Sequence, residues 1–259
     1  LYPLDAWFIF PLMILGGIIG GIFWAMIPTI LKIKFNTNEI LVSLMLVYVA
    51  EQILALASVG FLRNPEGLGF PGSRDLSKYP SAANPELIAN SGIHLGVVFS
   101  VLAVISLTYF LIYHRLGFQI KLIGQAPKAA KFSGVNINYI IIFCLGLSGG
   151  LAGIAGMFEL TGPAGLINID FNVGYGFTAI IVAFLGRLHP VGIFFAGLLM
   201  SLTYVGGELA QLMLNIPAAS IQVFQGMLLF FLLSTDLLVS YKVSFNLGTN
   251  NSNPKSKSK

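Results

Sequence analysis

Apolar positions in this chain come in long runs, not in alternation and not along one face of a helical repeat. Roughly residues 6–30, 38–60, 93–113, 138–158, 173–188, 190–211 and 217–240 are dominated by apolar and small side chains, with short polar breaks between them. A helix needs about 20 such residues to cross the hydrocarbon core of a bilayer. Barrel strands would alternate and run to about 10 residues. The pattern predicts an all-α membrane protein, a polytopic bundle of about seven transmembrane helices. The fifth run, VGYGFTAIIVAFLGRL, is short for a crossing, so a half-helix and a closely fitted span both stay open.

Composition agrees: 56% of residues are hydrophobic and 9% are charged, whereas soluble domains carry about 25% charged residues. One transmembrane domain over 1–241 and a disordered Asn/Ser/Lys-rich tail over 242–259 are expected. The single cysteine, Cys144, excludes a disulfide framework and a cysteine-based metal site. His94, His114 and His189 stand too far apart in the pattern for a metal site. The opening LYPLDAWF has no initiator Met and no signal-peptide pattern, and it reads as the continuation of earlier segments absent here.

The formal charge of +4 reflects orientation, not nucleic-acid binding. Lys32, Lys34, Arg115, Lys121, Lys128, Lys131, Lys242, Lys255, Lys257 and Lys259 all fall on one side if every run crosses. Arg63, Arg74 and Lys78 on the other side are balanced by Glu66, Asp75 and Glu86. The first side is therefore expected to be cytoplasmic, with the C-terminus there and the loop over about 61–92 outside. Two glycine-rich stretches, Gly16, Gly17, Gly20 and Gly21, and Gly146, Gly149, Gly150, Gly153 and Gly156, carry small-xxx-small spacings that suit close helix packing.

Between two apolar runs lies GQAPKAAKFSGVN, Gly124 to Asn136, in a basic segment over about 114–137. Pro127 suits a first helical turn and Gly134 the left-handed position after the last. Four-residue spacing puts Ala126 with Ala130, and Ala129 with Ser133, with Lys128 and Lys131 beside them. The residues leave two readings open: a small-faced plug for a cleft on another protein, or an amphipathic helix on the membrane surface. Within the runs, Glu51 requires an explanation, because an ionisable group at the bilayer centre costs about 2.5–3.5 kcal/mol. It lines a wet path or hydrogen-bonds another helix. Asn38 and Glu39 begin a run, where Asn36 or Thr37 is expected to cap and Glu39 to meet the positive helix end; gating is the alternative. Glu159, Asn168, Asp170 and Asn172 form either a polar vestibule or an ordinary outer loop. Tyr175 and Phe177 suit base stacking or an interfacial belt, and Glu208 and Asp236 sit near run ends where they reach water.

Three stretches resemble one family. LGFQIKLIGQAPKAAKFSGVNINYIIIFCLGLSGGLAGIAG is similar to the coupling region of permease subunits of ATP-binding-cassette importers, in the branch serving nucleosides, simple sugars and branched-chain amino acids. Gly124, Ala129, Ala130 and Gly134 fit its Gly-x-Asn-x-x-Ala-Ala-x-x-x-Gly-Ile pattern. KIKFNTNEILVSLMLVYVA resembles a nucleoside and simple-sugar signature through Asn38, Glu39, Ser43, Leu44, Met45 and Tyr48. FNVGYGFTAIIVAFLGRLHPVG does so through Gly174, Tyr175, Gly176, Phe177, Thr178, Ala179 and Gly186.

The resemblance implies a multi-pass pore subunit of the cell (inner) membrane that is not itself an enzyme. Its partners would be a second permease subunit, a cytoplasmic ATP-binding subunit and an external substrate-binding protein, with the lipid bilayer around it and no nucleic acid. No Gly-x-x-x-x-Gly-Lys-Ser/Thr occurs in the chain, so ATP and Mg belong to the partner and no cofactor is expected here. Coupling to the ATPase is expected through Gly124, Gln125, Ala126, Pro127, Ala129, Ala130, Ser133 and Gly134. The substrate path is expected along Asn38, Glu39, Tyr48, Glu51, Tyr175 and Phe177. Nucleosides are the favoured cargo, then simple sugars. An ion-coupled secondary transporter is the alternative; it calls for internal repeats and midplane carboxylates, of which Glu51 alone fits. A membrane-embedded enzyme would need an intramembrane nucleophile and base, and no such constellation is present.

Overall fold

Each long apolar run within the described residues folds as a helix, because backbone groups in lipid must find partners within their own segment. The computed structural model describes residues 8–235, apart from 66, 68–69, 80, 85, 89–90, 170, 216, 218, 221–222, 225, 229 and 232–233. The helices are α1 (Ile9–Phe35), α2 (Glu39–Val59), α3 (Leu95–Tyr113), α4 (Arg115–Gln125), α5 (Pro127–Phe132), α6 (Ile137–Thr161), α7 (Tyr175–Leu185) and α8 (Pro190–Leu214), with a 3-10 turn at Leu76–Lys78. No strand occurs among the described residues.

Five of these, α1, α2, α3, α6 and α8, are long and apolar enough to cross a membrane. The fifth predicted run is α7, with 11 residues. At 1.5 Å per residue it reaches about 16 Å, half of the hydrocarbon thickness, so it is a half-helix. The seventh predicted run, 217–240, falls partly outside the described residues, as do Asp170, Asp236 and the whole tail over 242–259.

The core runs along the α1–α6 pair, where two glycine rows meet. A Cβ built on Gly17 would lie 2.8 Å from the Gly153 carbonyl oxygen, and one on Gly21 would lie 2.9 Å from the Gly149 carbonyl carbon. Gly149 faces the Ala25 methyl, and the Met26 terminal methyl sits 3.1 Å from the Cβ position of Gly146. Lipid supplies no hydrophobic drive between helices, so this backbone-to-backbone contact is what van der Waals attraction has to work with. Gly16 and Gly20, on the same helix, have nothing within 4 Å of a built Cβ. Only alternate members of the sequence motif therefore form the interface. Phe158 extends α6 toward two other helices, with ring centroids 6.1 Å from Phe10 and 4.9 Å from Phe99.

The α7–α8 hairpin closes through a tight turn. Arg187 and Leu188 both take left-handed backbone, φ 53° and 55°, and Gly186 packs directly on the backbone of Gly192 and Ile193. Large apolar side chains remain outward over much of the surface, Phe23 at 70% and Leu56 at 75% exposure among them, as expected of helices whose solvent is lipid or further protein.

Candidate functional site

Two regions carry the residues singled out in the sequence, one at the basic end of the bundle and one running from the opposite end to its middle. At the basic end, α3 stops at Tyr113 and His114 takes extended backbone. Its Nδ1 accepts the Leu116 N–H at 3.2 Å and so caps α4. Gly117 allows α4 to fold back, since a Cβ there would lie 2.5 Å from the Phe110 carbonyl oxygen. The apolar side of α4, with Ile120, Ile123 and Gly124, covers a cavity of about 240 Å³ that also touches Lys32, Glu39 and Cys144. Lys32 and Glu39 form an ion pair of 2.8 Å across the α1–α2 turn. Asn38 caps α2 by accepting the Ile40 N–H at 3.0 Å. The cap is thus Asn38, not Asn36 or Thr37. Asn36 instead ends α1 with φ 50°.

Ala126 separates α4 from α5, held off helical geometry by the proline that follows it. Pro127 opens α5, and Gly134 sits at φ +76°. Here the structure tells the two small faces apart. Ala130 is fully buried, at 0% exposure, and Ala126 is partly buried, so the face these two share turns inward. The outward face holds Pro127, Lys128, Ala129, Lys131, Ser133 and Gly134, with Gly124 and Gln125 exposed just before it. Phe132 stands among them at 94% exposure. Sequence reasoning passed over Phe132, although it is the one large apolar residue in an otherwise small and basic helix.

At the opposite end, the loop over 61–92 is hydrogen-bonded to the α6–α7 connection. Ser73 and Ile167 bond reciprocally, the Ser73 N–H to the Ile167 carbonyl and the Ile167 N–H to Ser73 Oγ, both at 2.8 Å. The Leu76 N–H donates to the Gly165 carbonyl at 2.8 Å and the Asn84 N–H to the Thr161 carbonyl at 3.0 Å. His94 Nδ1 lies 2.9 Å from the Asn84 carbonyl, and a carbonyl can only accept, so Nδ1 carries the proton. Asp75 accepts from the Ser77 hydroxyl at 2.6 Å and the Ser77 N–H at 2.9 Å. The Ser77 hydroxyl first, then the backbone N–H, hold the Asp75 carboxyl below its ordinary range.

The α6–α7 connection then reaches α2. Asn172 Nδ2 donates to Glu51 Oε1 at 2.5 Å, and Asn172 Oδ1 accepts the Gly174 N–H at 3.1 Å. Gly174, at φ +87°, turns the chain into α7. One turn into α7, Thr178 Oγ1 lies 2.7 Å from the Tyr204 hydroxyl of α8, and the Tyr175 and Tyr204 rings meet edge to face at 6.3 Å. Of the residues expected to line a path, Glu51 and Tyr175 are brought into this group. Tyr48 lines a neighbouring hollow on α2 with Gln52 and Leu56, Phe177 is exposed on α7, and Asn38 and Glu39 belong to the other end. Of the proposed vestibule, Asn172 joins Glu51, Glu159 lies within electrostatic reach of His94, and Asn168 is half-buried with no partner for its Oδ1 among the described residues. Thr178 and Tyr204 were not paired by sequence reasoning, since 26 residues separate them.

Comparison with known proteins adds the following. A family model described as branched-chain amino acid transport system / permease component matches residues 2–233. The glucose ABC transporter permease protein TsgB13 of Haloferax volcanii is 32% identical over 243 residues, covering 90% of this chain and 63% of that protein. The nucleoside ABC transporter permease protein NupB of Lactococcus lactis is 27% identical over 234 residues, covering 86% of this chain and 62% of that protein. The guanosine ABC transporter permease protein NupP of Bacillus subtilis is 24% identical over 242 residues, covering 92% and 67%. The chain thus spans between 62% and 67% of the length of these relatives. No solved structure matches it.

Proposed function

Because the chain belongs to the branched-chain amino acid transport system permease family, we propose that it is the membrane subunit of an ATP-driven importer of nucleosides or simple sugars. It forms the pathway and leaves ATP hydrolysis to a cytoplasmic partner. A second permease subunit completes the pathway, an external binding protein delivers the cargo, and the basic end with the C-terminus faces the cytoplasm.

The observation that carries the reading is the presentation of α5. Ala130 is fully buried and fixes the helix on the bundle, while Phe132 points away at 94% exposure between Lys131 and Ser133. An outward-facing aromatic of this kind is the residue type that protein interfaces are enriched in. The nearby α4 covers the cavity at Lys32, Glu39 and Cys144, so force applied at α5 has a direct route to the α1–α2 turn. Glucose, nucleoside and guanosine in the relatives' names support a polyhydroxylated neutral cargo.

The test is uptake of radiolabelled guanosine and glucose by proteoliposomes holding the assembled transporter. Uptake that needs internal ATP and ignores proton and sodium uncouplers is expected. In Phe132→Ala, cargo-stimulated ATP hydrolysis and uptake are both lost while the protein elutes normally in detergent. Uptake abolished by uncouplers at constant ATP overturns the importer reading, and full activity in Phe132→Ala overturns the coupling role of α5.

A further inference from the structure

The group around Glu51 is unusual for its depth. Glu51 is twelve residues beyond the start of α2 at Glu39, about 18 Å along a helix of about 32 Å. Its partner Asn172 belongs to non-helical backbone between α6 and α7. Irregular backbone at membrane depth is tolerated only where protein buries it or where it lines a wet cavity. Asn172 is exposed, and so are Tyr175 and the following Gly176 and Phe177. Nothing among the described residues covers this backbone, and a carboxylate bonded to an amide is too costly to face hydrocarbon, so the pair turns toward the pathway side of the bundle. Among the described residues no cation pairs with Glu51, and its carboxylate is held by the Asn172 amide.

We infer that Glu51 and Asn172, with Tyr175, Thr178 and Tyr204, form a binding site for the vicinal hydroxyls of a neutral polyhydroxylated cargo. The inference rests on the importer reading above and names the chemistry of its pathway. A bonded carboxylate–amide pair offers acceptors on Glu51 and a second N–H on Asn172 at one place. Adjacent hydroxyls, each both donor and acceptor, complement that pair. The Thr178–Tyr204 hydroxyl pair at 2.7 Å adds a second such unit on the other side of Gly174. The Tyr175 ring, edge to face with Tyr204, adds a flat apolar surface beside the second pair.

The electrostatics select against anions. Glu51 places a carboxylate in the site itself, and Glu159 and Glu208 lie within electrostatic reach of the Tyr175 hydroxyl. A phosphorylated or carboxylate-bearing solute meets repulsion here, and a neutral polyol does not. The Glu51–Asn172 bond also ties α2 to the start of the α7 half-helix. A cargo hydroxyl that inserts between the two groups exchanges one hydrogen bond for two and lets α7 move relative to α2.

The experiment compares uptake of guanosine with 2′-deoxyguanosine, and of glucose with 2-deoxyglucose, by the assembled transporter with one and the same binding protein. Wild type, Glu51→Gln, Asn172→Ala and Tyr204→Phe are measured side by side. The wild type favours the hydroxylated member of the pair it transports. Glu51→Gln and Asn172→Ala each reduce that ratio by about tenfold, the worth of one hydrogen bond to a charged or buried partner, and Tyr204→Phe, which keeps the ring, reduces it less. A purely structural role lowers uptake of both members by the same factor, and an unchanged ratio in all three variants overturns the site while leaving the importer reading intact. A wild-type ratio of one also overturns it. Preference for a cationic analogue over the neutral probes assigns the carboxylates to an amine instead and overturns the polyol site. ATP-independent or absent wild-type uptake of all four probes overturns the importer reading, and the site falls with it.

Discussion

Gly16, Gly17, Gly20 and Gly21 allow one substitution to be compared at four neighbouring positions of α1. A methyl added at Gly17 or Gly21 meets the α6 backbone: Gly153 O at 2.8 Å in the first case, the Gly149 carbonyl carbon at 2.9 Å and Gly153 Cα at 3.0 Å in the second. A comfortable carbon–oxygen contact needs about 3.5 Å, so the helices must separate by roughly 0.7 Å at Gly17 and further at Gly21. Neither helix backbone can yield locally, so the whole contact loosens. Overpacking of this kind costs about 1–3 kcal/mol. Alanine's higher helix propensity returns about 0.5–1 kcal/mol. The net expectation is a loss of about 1–2 kcal/mol for Gly21→Ala and less for Gly17→Ala. At Gly16 and Gly20 nothing lies within 4 Å, and only the propensity gain remains, so Gly16→Ala and Gly20→Ala are neutral or up to about 1 kcal/mol stabilising. Equilibrium unfolding of the detergent-solubilised protein in SDS, followed by circular dichroism, resolves differences of this size. Equal midpoints for Gly20→Ala and Gly21→Ala would refute the assigned α1–α6 contact. A larger loss at Gly20 than at Gly21 would mean that the helix is rotated from the orientation described.

Three further expectations concern the ends of the bundle. Ala129→Leu, on the exposed side of α5, lowers cargo-stimulated ATP hydrolysis with little change in stability, whereas Ala130→Leu at 0% exposure destabilises the protein by about 1–3 kcal/mol; thermal melting and ATPase assays separate them, and identical profiles for the two would contradict the inward turn of Ala130. Leu188→Gly relieves a left-handed residue at φ 55° and raises the unfolding midpoint by an amount corresponding to about 1 kcal/mol; a lower midpoint would show that the Leu188 side chain holds more than the turn costs. The Ser77 hydroxyl and N–H hold the Asp75 carboxyl below its ordinary range, so its contribution is complete above the unfolded value and fades as pH falls through the folded one. Hydrogen exchange at the Ser77 and Tyr79 amides accordingly accelerates below about pH 4 beyond the intrinsic rate change, and Asp75→Asn removes that extra acceleration. Parallel profiles for both proteins would remove Asp75 from the loop's stability.

How much of this was legible in the sequence follows from what each pattern constrains. Run length fixed the crossing helices, because hydrocarbon thickness sets a minimum for any span, and it marked α7 as short before its half-helix form was seen. Pro127 and Gly134 bounded α5, since backbone geometry alone restricts both residues. The rotation of each helix about its axis was not legible. A helix apolar on every side carries no preferred face, so nothing in GGIIGG tells Gly17 and Gly21 from Gly16 and Gly20; the fit of two backbones decides it. The same holds on α5, where four-residue spacing put Ala126 and Ala130 together but could not say whether that face turns inward. The Glu51–Asn172 bond joins positions 121 residues apart, and no local pattern relates them. Sequence set which residues are expensive to place in a membrane, and the tertiary structure set which partners make them tolerable, because partner choice depends on how whole helices pack and not on any one segment's propensity.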